Sequence, residues 1–212
     1  MIPLAFEPCD TFQFLSHLTA APGFEIIAGC LPPSLPGPEP TARDLAEAAI
    51  HTDPPRFLKR RALTRAVLAQ HFRWPVAAVE LGHDSIGAPF VVSPASAGLH
   101  LSVAGRGDLF ALAFAPHRVG IDIEPLGQPV EPPWNILTAP ERSRLRALPQ
   151  QDRHRAFQAL WTVREAELKA QGTGFAGAAQ GGGAGIWQGW LVVGGVEALV
   201  ACVALPREKL TP

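Results

Sequence analysis

The sequence predicts an α+β protein, with helices and strands in similar proportions in both halves of the chain. Apolar residues make up 47% of the 212 residues and charged residues 17%, which is typical of a globular fold with a substantial core. Short β-prone runs separated by Gly, Pro and Ser fill the middle of the chain. Capping patterns followed by helical periodicity lie on both sides of these runs.

Residues 24–74 predict one strand followed by two helices. Phe24–Cys30 is apolar and β-prone, so we predict a strand there. Residues 31–40 hold five prolines and predict a loop. Thr41 with Asp44 resembles a capping box that starts a helix through residue 50. Asp53, followed by two prolines, caps a second helix that ends near residue 74.

Residues 76–205 predict several strands, two helices and a closing hairpin. The predicted strands lie at residues 76–81, 90–92, 99–103, 109–114 and 119–124. Thr138 and Glu141 form a capping box for a helix through residue 148. A longer helix covers residues 151–171 and ends at Gly172. The runs at 187–193 and 196–205 flank two glycines and predict a β-hairpin.

We expect an N-terminal lobe of residues 1–115, in which 1–20 form an accessory extension, and a C-terminal lobe of residues 116–212.

Charge and composition exclude several classes of protein. The net charge of −1 argues against a surface built to hold nucleic acid. No secretory signal opens the chain, and no stretch approaches the ~20 apolar residues of a membrane span. We therefore expect a cytoplasmic protein. Reduced thiols are expected because three scattered cysteines show no metal-ligand spacing: Cys9, Cys30 and Cys202.

The predicted strand at residues 119–124 carries the first candidate site. Alternate side chains of a strand share a face, so Asp122 and Glu124 point away from the core, and Gly120 leaves open space beside them. Two carboxylates ~7 Å apart on one exposed face can share a hard divalent cation or divide acid and base roles. The alternative is a half-buried edge strand with two solvated acids.

The long predicted helix carries the second candidate site. Trp161, Glu165 and Lys169 recur every four residues and form one stripe, in which Glu165 and Lys169 make a favourable pair. The alternative is a surface salt bridge beside a packed tryptophan, which contributes little to stability.

Together the two motifs resemble those of the 4′-phosphopantetheinyl transferase superfamily, in its longer single-chain form. Residues 119–124 read Val-Gly-Ile-Asp-Ile-Glu, and residues 161–169 read Trp-Thr-Val-Arg-Glu-Ala-Glu-Leu-Lys. The basic stretch at residues 53–65 and the glycine turn Gly172-Thr-Gly174 add to the resemblance. It covers roughly residues 24–205.

The resemblance implies two similar α+β lobes related by a pseudo-twofold axis, with coenzyme A bound in the cleft between them. It implies Mg²⁺-dependent transfer of the 4′-phosphopantetheine group from coenzyme A to a serine of an apo acyl, peptidyl or aryl carrier protein. The other product is adenosine 3′,5′-bisphosphate. The implied enzyme is of the holo-acyl-carrier-protein synthase type and acts as a monomer.

The resemblance also assigns roles to individual residues. Asp122, Glu124 and Glu165 would hold Mg²⁺, and Asp122, Glu165 and Lys169 would form the catalytic set. Glu165 would act as general base toward the carrier serine, directly or through a water, while Lys169 steadies the pyrophosphate. The residues that would bind the phosphates of coenzyme A are Arg56, Arg61, Arg65, Ser102 and Lys169. The alternative for each arginine is a solvated helix face.

Two stretches depart from the family pattern. Gly87-Ala88-Pro89 stands where the family has Gly-Lys-Pro, and Ser102-Val-Ala-Gly105 stands where it has Ser-His-Ser-Gly. His100 or Arg106 could compensate for the missing histidine. An alternative function is therefore a divergent, non-catalytic member that binds a carrier protein or coenzyme A. A metal-dependent hydrolase of a phosphorylated metabolite is a third hypothesis, which rests on the carboxylates alone.

Overall fold

A computed structural model describes most of the chain and confirms the α+β class. The described residues are 2–3, 7–8, 15–21, 23–31, 33, 38–95, 98–127, 131–172, 185–193 and 195–205. The helices are α1 (Ala42–Ala48), α2 (Pro54–Phe72), α3 (Ala139–Arg146) and α4 (Gln150–Gln171). The strands are β1 (Ile2–Pro3), β2 (Glu7–Pro8), β3 (Leu15–Ala21), β4 (Phe24–Cys30), β5 (Glu80–His83), β6 (Pro89–Ser93), β7 (His100–Ala104), β8 (Leu109–Ala115), β9 (Val119–Pro125), β10 (Gly185–Val193) and β11 (Val196–Ala204).

The strands form three sheets. A four-stranded sheet has the order β1-β10-β11-β9, and a five-stranded sheet has the order β2-β3-β4-β8-β7. Strands β5 and β6 form a separate antiparallel pair. β1 runs parallel to β10, and the other described neighbours are antiparallel. The most N-terminal strand thus lies in the sheet of the C-terminal half.

Alternating side chains build a layered core. One face of each large sheet contributes to a shared apolar cluster, in which Ala113 on β8 and Ile121 on β9 are fully buried. The opposite face of the five-stranded sheet packs against α2 through Leu63 and Leu68. The opposite face of the four-stranded sheet packs against α4 through Ala166. The layers are therefore α2, sheet, sheet and α4.

The predicted helix caps are confirmed. The Thr41 hydroxyl accepts a hydrogen bond from the Asp44 amide at 3.1 Å, and the Asp44 carboxylate accepts one from the Thr41 amide at 2.9 Å. Gly172 ends α4 in the left-handed conformation, with φ 68°. α1 and α3 end two residues earlier than predicted. The other confirmed caps are Asp53 and Thr138.

The predicted strand at residues 76–81 is wrong in its first half. Val76–Ala78 form a 3₁₀ turn, and β5 begins only at Glu80. Arg73 ends α2 in the left-handed conformation, and the Pro75 carbonyl then accepts from the Ala78 amide at 2.9 Å, which tightens the chain into a turn.

Some expectations concern residues outside the described ranges. The glycine-rich stretch beyond Gly172, including Thr173 and Gly174, and Cys9 lie there. Cys30 and Cys202 carry free thiols. In the described residues, no helix combines the length and apolarity that crossing a membrane requires.

Candidate active site

The polar face of β9 lies under helix α4. A Cβ atom on Gly120 would lie 2.0 Å from the carbonyl oxygen of Ala166 and 2.4 Å from the amide nitrogen of Ala170. Glycine therefore allows the helix backbone to approach the strand. The open space expected beside Asp122 is filled by α4, and Asp122 is only 6% exposed. The prediction of an exposed face, and the alternative of two solvated acids, are both wrong for Asp122.

Lys169 neutralises the buried Asp122 carboxylate. Its Nζ donates to Asp122 Oδ1 at 2.7 Å and to the carbonyl oxygen of Ile121 at 3.1 Å. Among the described ion pairs none joins Lys169 to Glu165, so the pair expected within the helix does not form. The second oxygen of Asp122, Oδ2, is buried and accepts no hydrogen bond. A buried anionic oxygen without a donor is unfavourable, and this position would therefore suit a cation.

Arg106 neutralises Glu124. It lies in the turn between β7 and β8, and its Nε donates to Glu124 Oε2 at 3.2 Å while its Nη2 lies 3.2 Å from Oε1. The Arg106 side chain is 66% exposed, whereas that of Glu124 is 17% exposed. Arg106 was one of two candidates to replace the missing histidine, and the structure brings it to the carboxylates. The other, His100, begins β7 and is exposed over much of its surface. Desolvation of its imidazole is only partial, and it lowers the pKa of His100 together with the smaller effect of the Arg118 charge.

Burial raises the pKa of both remaining carboxyl groups. For Glu165, burial acts first, the charge of Asp122 adds to it, and Lys169 opposes it. For Glu124, burial is again the largest cause, Arg106 opposes it, and Asp122 adds to it. Three carboxylates and two basic side chains thus share a half-buried region, which favours an additional positive charge.

The carboxylates do not form a ready-made metal group. Within the described ranges, no three His, Cys, Asp or Glu side chains are arranged to hold one ion together. Lys169 and Arg106 occupy one oxygen of Asp122 and both oxygens of Glu124. The donor set nevertheless consists of carboxylate oxygens, the ligands that hard divalent cations prefer, and Asp122 Oδ2 is available to such an ion.

A cavity of about 510 Å³ opens beside Glu165 and Lys169. Its walls come from the turn before β6, from β7 and from the end of α4. The lining residues are Ile86, Gly87, Ala88, Pro89, Leu101, Ser102, Val103, Glu165, Leu168, Lys169 and Gly172. Ala88, where the resembled family has lysine, is therefore part of the wall and carries no charge. The Ser102 hydroxyl accepts from the Ile121 amide at 3.0 Å and so ties β7 to β9.

Two of the predicted phosphate-binding arginines are structural in this conformation. Arg61 is 5% exposed and pairs with Asp44 and Glu47. Arg65 donates to the carbonyl oxygen of Val79 at 2.7 Å and lies 3.3 Å from Asp44. Neither residue lines the cavity. The alternative of a solvated helix face is wrong for both, since both are buried, and their phosphate contacts stay a prediction.

The exposed end of α2 presents two other arginines. Arg56 pairs with Asp53 at 2.6 Å and with Asp108 at 2.8 Å, and it faces solvent. Arg60, which the sequence did not single out, donates to the Gly107 carbonyl at 2.6 Å, while its Nε is buried without a hydrogen-bond partner. Arg60 occupies the space that a side chain on Gly105 would need. Gly105 was therefore the one feature of the sequence that could have indicated a side chain packed against this turn.

Trp161 lies on a different surface from Glu165. It lines a groove of about 890 Å³ between α3 and α4 and stacks on Phe157 with ring centroids 6.0 Å apart. The stripe predicted for Trp161, Glu165 and Lys169 is thus divided between this groove and the cavity.

Comparison with protein families identifies one segment. Residues 118–182 match the model of the 4′-phosphopantetheinyl transferase superfamily. The matched segment contains β9, α3 and α4, and with them the carboxylates and Lys169. No curated protein matches the chain.

Proposed function

We propose that this chain, whose residues 118–182 match the model of the 4′-phosphopantetheinyl transferase superfamily, moves the 4′-phosphopantetheine group of coenzyme A onto a serine of an apo carrier protein. Adenosine 3′,5′-bisphosphate is the second product. The observation that carries the proposal is the position of Glu165 and Lys169 on the cavity wall, with Lys169 bonded to Asp122 at 2.7 Å. The superfamily match supports a carrier protein and coenzyme A as partners.

We assign a Mg²⁺ ion to Asp122, Glu124 and Glu165. The support is the oxygen donor set and the buried Oδ2 of Asp122, which accepts no hydrogen bond. Burial, the largest cause of the raised pKa of Glu124 and of Glu165, disfavours their charged forms, and a bound cation would offset that cost. When bound, the ion would neutralise charge on the transferring phosphoryl group and on the leaving 5′-phosphate of adenosine 3′,5′-bisphosphate.

Glu165 acts in this proposal as the proton acceptor. As the serine oxygen bonds to phosphorus, the bond from phosphorus to the leaving phosphate breaks, and the hydroxyl proton passes to the Glu165 carboxylate, directly or through a water. The place of Glu165 on the cavity wall is compatible with this role.

Lys169 stabilises the negative charge that develops on the leaving group. Its side chain is one-third exposed and lines the cavity, and its Nζ makes two hydrogen bonds, so a third N–H group is available to a diphosphate oxygen. Asp122 holds the ammonium in position during this step. Lys169 is the one basic residue among the described residues that line the cavity.

We assign the remaining phosphate contacts to Ser102, Arg56, Arg61 and Arg65. Of the arginines, Arg56 is the best placed because it faces solvent, whereas Arg61 and Arg65 would have to leave buried carboxylate and carbonyl partners. With an uncharged Ala88 on the wall, we expect coenzyme A to bind more weakly than it would with a lysine there.

We also propose the finer architecture and setting. The two helix-and-sheet layers would be lobes related by a pseudo-twofold axis, divided near residues 115 and 116 where β8 leads into β9. Each lobe carries one long helix on the outer face of its sheet, which supports this arrangement. The protein would act as a cytoplasmic monomer of the holo-acyl-carrier-protein synthase type.

A non-catalytic binding module is the second candidate. Ala88 and Val103 stand where the resembled family has lysine and histidine, and Asp122 and Glu124 are each paired with an internal basic residue. Such a protein would bind a carrier protein or coenzyme A without transfer.

Intact-mass spectrometry of apo carrier proteins tests the proposal. Carriers from fatty acid and secondary-metabolite systems are incubated with the protein, Mg²⁺ and coenzyme A. A gain of one phosphopantetheine group, lost with EDTA and in Asp122→Asn, supports the transferase. Coenzyme A binding without a mass gain on any carrier supports the binding module, and the absence of both overturns the proposal.

A further inference from the structure

The turn that carries Arg106 is held at several points. Arg60 donates to the carbonyl oxygen of Gly107 at 2.6 Å, and Arg56 pairs with Asp108 at 2.8 Å. The Leu109 amide closes the turn by donating to the carbonyl oxygen of Arg106 at 3.0 Å. Helix α2 therefore fixes the backbone from which the Arg106 side chain reaches the carboxylates.

The side chain of Arg106 is much less constrained than its backbone. Both of its contacts with Glu124 are 3.2 Å long, and two thirds of the side chain is exposed. Arg61, by contrast, is buried and pairs with two carboxylates, so moving it would break two ion pairs that are largely shielded from water. Because the Arg106 guanidinium is still largely hydrated, its separation from Glu124 costs little.

The carboxylates have two counter-ions of this kind. Lys169 serves Asp122 and Arg106 serves Glu124, and both basic side chains reach solvent. A divalent cation bound by the same carboxylates would compete with both. The displaced side chains would then be free to contact an anion placed beside that ion.

We propose that Arg106 is an exchangeable counter-ion. It neutralises Glu124 while no divalent cation is bound, and it turns to a phosphate of the donor when the cation takes its place. The inference rests on the proposed function and deepens it, because it names a residue that couples metal binding to donor binding. This coupling is reciprocal, as any linkage between two binding equilibria must be.

Loss of the Arg106 charge is then expected to have opposite effects on two ligands. A divalent cation binds more tightly, because its competitor for Glu124 is gone. The donor binds more weakly, because one of its phosphate contacts is gone. A residue that merely held the loop or the carboxylate in shape would weaken both when removed.

Mn²⁺ titration of the donor-free protein, followed by electron paramagnetic resonance, tests the first half. We expect Arg106→Gln to lower the Kd for Mn²⁺ about fivefold, and Arg106→Lys to stay near wild type because it keeps the charge. Calorimetric titration of coenzyme A in saturating Mg²⁺ tests the second half, with an expected rise in Kd of about fivefold in Arg106→Gln.

Arg155→Gln is the matched control. Arg155 is also a partly exposed arginine paired with a glutamate, Glu197, at 2.6 Å, but it lies near the start of α4. At ~1.5 Å per residue along the helix, it is ~15 Å from Glu165. Its substitution should leave both Kd values unchanged, which separates a local effect from a change in net charge. Circular dichroism confirms that each variant is folded.

The two proposals fail in different ways. Unchanged or weaker Mn²⁺ binding in Arg106→Gln, or no Mn²⁺ binding in any variant, overturns the exchange of counter-ions whatever the transfer assay gives. An unchanged Kd for coenzyme A overturns the donor contact. Absence of transfer to every carrier, with the Mn²⁺ effect present, overturns the proposed activity and leaves the counter-ion role in place.

Discussion

The ammonium group of Lys169 bonds to Asp122, 47 residues away in the sequence, and not to Glu165 on its own helix. Asp122 is buried, so removal of Lys169 alone would leave a buried carboxylate without its ion-pair partner. Lys169→Met should therefore destabilise the protein more than the double variant with Asp122→Asn does, because the double variant leaves no unpaired buried charge. We expect a coupling of about 1–3 kcal/mol in a double-mutant cycle measured by urea unfolding.

The matched cycle on Arg155 and Glu197 provides the comparison. The Arg155 side chain is about half exposed and that of Glu197 about one-third, so water screens this pair more than it screens Asp122, and its coupling should stay below ~1 kcal/mol. Equal coupling energies for the two pairs would show that Lys169 is not required to neutralise Asp122.

Gly120 is expected to be intolerant of any side chain. Gly120→Ala would place a methyl group 2.0 Å from the carbonyl oxygen of Ala166, which is backbone and cannot rotate away. Helix α4 would have to move off β9, at a cost of about 1–3 kcal/mol in the free energy of unfolding. Because that movement shifts Glu165 and Lys169, transfer activity should fall as well. Gly127→Ala is the control, since nothing lies within 4 Å of its Cβ position, and it should change neither quantity.

Arg61 and Arg56 should affect different properties. Arg61→Gln removes a buried cation from Asp44, which keeps Arg65, and from Glu47, which keeps His83, so we expect a loss of about 1–3 kcal/mol of stability. Arg56→Gln should change stability little and raise the Kd for coenzyme A. Thermal unfolding and calorimetric titration of both variants decide the matter. A stable Arg61→Gln protein with weakened coenzyme binding would show instead that Arg61 binds phosphate.

Glu141 should make stability depend on pH on the acid side. Burial alone would raise the pKa of Glu141, but hydrogen bonds from Arg164 and Thr138 outweigh it and lower the pKa below the ordinary value. A lowered pKa in the folded state means that the carboxylate stabilises the fold above the unfolded value of ~4.3, and that this contribution is lost as pH falls through the folded pKa. The stability difference between wild type and Glu141→Gln should shrink from pH 6 toward ~pH 3. A difference that stays constant over this range would contradict it.

Local patterns predicted more of this molecule than long-range contacts did. The caps at Thr41 and Thr138 follow from residues three positions apart, and the core face of β9 follows from a period of two, so a single segment contains the information. The partner of Lys169 depends on how α4 crosses β9. Gly120 allows this close crossing, but a glycine at that position does not by itself predict it. The burial of Arg61 likewise depends on α1, whose Asp44 serves both as a helix cap and as a counter-ion.

Restoring a positive charge at position 88 should strengthen donor binding. Ala88 lies on the cavity wall that also contains Lys169, and its backbone is held by Asp84, whose amide donates to the Ala88 carbonyl at 3.0 Å and whose carboxylate accepts from the Ala88 amide at 2.8 Å. Ala88→Lys adds an ammonium group to a fixed backbone position, so we expect the Kd for coenzyme A to fall about fivefold at low salt and less at high salt. Ala88→Met adds length without charge and should not reproduce the effect. If both variants bind coenzyme A as wild type does, the phosphates of the donor do not reach this wall. The absence of a lysine at position 88 would then not weaken coenzyme A binding.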